Sequence, residues 1–65
     1  MQPHQQRVVE EKQELDEKLS SLAKFISLNP FFEKLDLNEK WRLTTQMHLM
    51  VQYSGVLESR IKAFV

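Results

Sequence analysis

Apolar residues recur along the chain in two long stripes with one short interruption between them. The first stripe holds Val8, Leu15, Leu19, Leu22 and Ile26, at gaps of seven, four, three and four residues. Residues three or four apart share one face of a helix. Glu, Gln, Lys and Leu, all good helix formers, fill the rest of the stretch. The pattern predicts a helix over about 4–28. It stops at Asn29-Pro30, because the residue before a proline avoids the α region. The second stripe, Leu43, Met47, Met50, Leu57, Ile61 and Phe64, predicts a helix over about 38–64. Asp36-Leu37-Asn38-Glu39 marks its start, a carboxylate followed three residues later by Glu in the manner of a capping box. The connector, 29–37, carries a short helical turn of its own. Asn29 caps that turn, Pro30 takes its first position, and Phe31, Phe32 and Leu35 fold back as a plug over the end of the hairpin. A short connector between long helices favours antiparallel packing. The expected fold is all-α, a single helical-hairpin domain over residues 1–65.

Each stripe breaks once, at Lys12 and at Ser54. With the turn centred near residue 33, these two residues fall at about the same level and form one polar layer in the hairpin. Tyr53 and Gly55 flank Ser54, and a glycine inside a helix costs about 1 kcal/mol relative to alanine, a cost often offset by close approach of a backbone or ligand. Toward the open end Arg7 lies near the level of Arg60, and His4 near Lys62. The open half thus gathers His4, Arg7, Lys12, Tyr53, Ser54 and Arg60. An aromatic ring with cationic forks beside it suits a planar anionic ligand, the ring stacking on a base and Arg or Lys holding a phosphate. Plain structural roles stand beside this reading. Lys12 at a seam edge snorkels or pairs with Glu11 or Glu58, Ser54 bonds its own backbone, and Gly55 lets helices pack closely.

Composition changes the picture in two ways. A chain of 65 residues buries a small share of its surface, and with no Cys and two His it has neither a disulfide framework nor a tetrahedral metal site; no cofactor is expected. Helix 2 also has more apolar surface than one partner helix covers: Trp41, Leu49, Val51, Tyr53, Val56 and Val65, with Val9 and Phe25 added by helix 1. A set this size marks an interface, and symmetric self-association is the common solution. A homo-oligomeric helical bundle is therefore expected, with Trp41, Leu49, Val56 and Phe25 at its interfaces.

Net charge is zero, with nine basic and nine acidic residues. Duplex nucleic acid is thereby an unsuitable partner, and the apolar runs are far too short to span a membrane. The N-terminus lacks the apolar core of a signal peptide. No nucleophile–base pair and no Gly-rich phosphate loop occurs, so no enzymatic activity is expected. The carboxylates Glu10, Glu11, Glu14, Asp16 and Glu17 read as a solvated face.

The run His4-Gln5-Gln6-Arg7-Val8-Val9-Glu10-Glu11-Lys12-Gln13-Glu14-Leu15, with Lys18, Leu19 and Phe25 after it, resembles the start of a group of small bacteriophage proteins. Gln46-Met47, Tyr53-Ser54-Gly55-Val56-Leu57 and Arg60-Ile61 resemble their second helix. The resemblance is to the helical hairpin of phage anti-CBASS and anti-Thoeris proteins. It implies a sponge in the host bacterial cytoplasm, a hexamer that binds cyclic di- or trinucleotides, or cyclic ADP-ribose derivatives, without cutting them. It also implies pockets shared between protomers, with Arg7, Lys12, Tyr53 and Arg60 as natural contacts. A small oligomeric adaptor or inhibitor, binding a host protein through the exposed apolar face, is the rival expectation.

Overall fold

The computed structural model describes residues 1–64. Val65, expected on the second apolar face, lies outside the described residues. The chain forms α1 (Pro3–Leu28), α2 (Pro30–Lys34) and α3 (Leu37–Lys62), and the described residues contain no strand. The two long helices, 26 residues each, pack side by side with the five-residue α2 in the connector.

Local chemistry sets each boundary. Pro3 takes the first position of α1, and Gln5 Oε1 accepts from the Gln2 N–H at 3.0 Å. Asn29 Oδ1 accepts from the Phe31 N–H at 2.9 Å and caps α2, with Pro30 next. Asp36 Oδ1 accepts from the Glu39 N–H at 2.8 Å and caps α3. The expected capping box is only half made. Glu39 turns its carboxylate away to accept from Arg42 Nε at 2.8 Å. At the far end Ala63 caps α3, and Phe64 donates its N–H to the Ile61 carbonyl at 3.1 Å beyond the helix.

Both stripes face inward. Val8 and Leu57 are buried, and every other member of the two series, Lys12 and Ser54 included, is half-buried. The closed end is held by aromatic packing. Phe25 meets Phe32 edge to face at a centroid distance of 6.2 Å. Lys40 Nζ lies 5.8 Å from the Phe32 ring and 3.3 Å from Glu33. Phe31 does not join the plug: it is 63% exposed, with Lys34 above its ring. Adjacent helical residues point about 100° apart, so a one-turn helix can aim only one of the two phenylalanines at the hairpin.

The result is a rod of 47 × 15 × 13 Å whose Leu57 is the one side chain with no exposure among the described residues. Trp41, Leu49, Val51, Tyr53 and Val56 all stand exposed on α3, where the sequence places the second apolar face.

Candidate functional site

The polar layer forms, but through a residue read from sequence as solvated. Ser54 Oγ donates to Asp16 Oδ1 at 2.6 Å, and Lys12 Nζ donates to Asp16 Oδ2 at 2.6 Å. Lys12 also pairs with Glu58 at 3.8 Å, and Glu58 with Lys62 at 3.7 Å. Lys12 and Ser54 do not touch each other in this network; Asp16 joins them. The reason is the lean of helical side chains toward their own N-terminus. In an antiparallel pair, side chains level with each other lean apart, while those one turn away converge. Asp16 leans toward the open end and Ser54 toward the closed end, so they meet. Lys12 and Glu58 converge in the same way.

The network sets the local electrostatics. Donation from Lys12, and then from Ser54, holds the Asp16 carboxyl below its ordinary 3.8. The hydrogen bond to Asp16, helped by the charges of Asp16 and Glu58, raises the Lys12 ammonium above 10.5 against a smaller opposing effect of burial. Each donor thus has an acceptor within the hairpin. An anion approaching Lys12 meets Asp16 and Glu58 beside it.

The other expected site residues lie outside this network. His4 and Arg7 are exposed on the first turns of α1, and Arg60 is exposed in the last turn of α3. Neither arginine takes part in an ion pair among the described residues. Tyr53 is 45% exposed and, one residue from Ser54, lies on a different face of α3. It lines an open groove along the outside of that helix with Trp41, Arg42, Thr45, Gln46, Leu49 and Met50. Arg42 is the cation of this groove, and the sequence reading passed over it. Its spacing of seven from Leu49, itself seven from Val56, carries the signal. Hydrogen bonding to Glu39 raises the Arg42 pKa further above its usual value and fixes the side chain.

Two further grooves lie on α1. One runs past Val9, Gln13, Asp16 and Ser20, and the other past Lys24, Phe25 and Leu28 near the closed end. Phe25, expected at an oligomer interface, packs on Phe32 of its own chain and lines the second groove with the rest of its surface. Gly55 is exposed, and a Cβ there would meet nothing within 4 Å. No close approach within the chain accounts for this glycine. Among the described residues no group of three His, Asp or Glu side chains could hold a metal ion, and no helix is long and apolar enough to cross a membrane.

The arrangement thus offers a half-buried polar network that joins the helices and an outer groove lined by Trp41, Tyr53 and Arg42. A family model described as Sequestin matches residues 2–63. No curated protein and no solved structure matches the chain.

Proposed function

The chain belongs to the Sequestin family, and on that footing we propose that it sequesters a cyclic oligonucleotide or cyclic ADP-ribose type messenger of host antiviral defence. In this reading the protein is phage-encoded, acts in the host bacterial cytoplasm and holds its ligand without chemical change. The family match carries the reading, since its name describes a sequestering protein. The exposed surface supports it. Trp41 and Tyr53 are exposed aromatic rings, of which Trp41 is the more open and suits stacking on a base, and Arg60, Arg7 and His4 are exposed cations or hydrogen-bond donors for phosphate. Ser54 and Lys12 contribute by fixing the helices that present these groups. The assembly in this reading is a homo-oligomer, a hexamer by resemblance, with pockets where protomers meet.

Isothermal titration against a panel of cyclic di- and trinucleotides and cyclic ADP-ribose derivatives tests it. Binding of at least one, with the ligand recovered intact by chromatography, is the expected result. A folded protein that binds none of them overturns the reading. Arg60→Ala should weaken binding by about 1.5–3 kcal/mol, roughly tenfold or more, the range for hydrogen bonds to charged groups, while helicity is kept. The rival reading, an adaptor docking a host protein on the outer face of α3, predicts protein capture and no nucleotide heat.

A further inference from the structure

The outer face of α3 carries a second apolar stripe, Leu49, Tyr53 and Val56, at gaps of four and three. Arg42, Gln46, Leu49, Tyr53, Val56 and Arg60 follow each other at gaps of four, three, four, three and four. This is the heptad spacing of a coiled-coil seam. It is a second seam, because the helix already spends Leu43, Met47, Met50, Ser54, Leu57 and Ile61 on α1. Its middle members, Leu49, Tyr53 and Val56, are 59%, 45% and 58% exposed. A seam of this kind fits another helix.

The surface left open on the rod is of interface size. The chain exposes 5103 Å², whereas a compact monomer of its mass exposes about 4,400 Å². The excess, about 700 Å², is close to the roughly 800 Å² that each partner contributes to a standard interface. Within the chain, α1 cannot be the match. It offers Val9 in one groove and Phe25 and Leu28 in another near the closed end, apolar groups too far apart along the helix to meet Leu49, Tyr53 and Val56 together. The α3 seam itself supplies matching groups. Its spacing is symmetric about its middle, and the arginines at its two ends would repel each other across an antiparallel pair unless an anion lay between them.

We propose that α3 pairs antiparallel with α3 of a second copy along this seam, about a twofold axis near the level of Val51. Leu49 then packs on Tyr53 of the partner subunit, and Gln46 on Val56 of the partner subunit. Arg42 comes to the level of Arg60 of the partner subunit at each end, the two ends lying about 27 Å apart at 1.5 Å per residue. An antiparallel pair opposes the helix dipoles and sets each Gln46 against a valine, where a parallel one would stack Gln46 on itself. Two arginines from different chains converge beside the exposed Trp41 at each end. Glu39 occupies the Nε of Arg42 and leaves the rest of that guanidinium free of it. Each end is therefore an anion site that one chain cannot complete. This part rests on the sequestration reading, and assigns the stacking ring to Trp41 and the middle of the seam, Tyr53 included, to the interface.

Cross-linking without any nucleotide tests the pairing, so its failure leaves the binding assays untouched. The chain has no Cys, and single variants are unambiguous. A mixture of Gln46→Cys and Val56→Cys should form the mixed disulfide in preference to either self-linked product. Sedimentation should give the wild type a mass of at least twice 7.8 kDa. Leu49→Glu should lose that association, and Val51→Glu, equally exposed but off the seam, should keep it. A monomeric wild type, preferential self-linking of Gln46→Cys, or equal loss of association in both Glu variants would overturn the proposal.

Discussion

Asp16 receives two contacts of 2.6 Å, one from each long helix. Such a group ties stability to pH. Its carboxyl sits below 3.8 in the fold, so its contribution is complete above the unfolded value and is lost as pH falls through the folded one. Lys12 is shifted upward, so its contribution is complete below 10.5 and is lost as pH rises through its folded value. Between these limits the network leaves stability flat. Thermal melts should show a fall on the acid side that steepens below about pH 4, where an ordinary Asp is half protonated. Asp16→Asn should be less stable at pH 7 and should show a shallower acid limb. An acid limb identical to wild type would mean that other carboxylates set it. At this scale the sequence was half legible. The stripe breaks at Lys12 and Ser54 are visible in the periodicity, and both side chains do belong to one network. Asp16 was hidden in a run of acids. Its place four residues from Lys12, on the side toward which Ser54 leans, is the signal that could have found it.

The helices were legible because what starts and stops them is local: Pro3, Asn29-Pro30 and Asp36 act within a turn of where they stand. Features that depend on a neighbour were not. Glu39 has the right place for a reciprocal cap but a better partner in Arg42, three residues on. Phe31 and Phe32 are equally apolar, and only the orientation of α2 decides which is covered. α3 makes a further point about glycine. Gly55 interrupts a long helix, yet nothing lies within 4 Å of where its Cβ would be. Gly55→Ala should therefore stabilise the protein by about 1 kcal/mol, raising Tm by roughly 4–8 °C for a domain of this size. A lower Tm in circular dichroism would reveal a group packed against that face.

Taken whole, the rod is too long for its mass. Its radius of gyration is 14.7 Å, against about 11 Å for a compact chain of this length. Large apolar side chains stay exposed down α3 while Val8 and Leu57 are the buried ones. Copies that cover one another stabilise the native state by mass action, so Tm should rise with protein concentration across a dilution series. A Tm independent of concentration would mean that the hairpin stands alone. The fold class was legible at this scale because a two-stripe chain with one connector has few other solutions. The number of copies was not, since a seam states its spacing and leaves open how many turns of symmetry close it. One property of the hairpin bears on every such measurement. α1 begins and α3 ends at the same tip of the 47 Å rod, opposite α2. The molecule has a handle and a nose. Any tag, fused carrier or surface tether grips the handle, where His4, Arg7 and Arg60 are, and shades them. A label placed in α2 instead leaves those groups in the open.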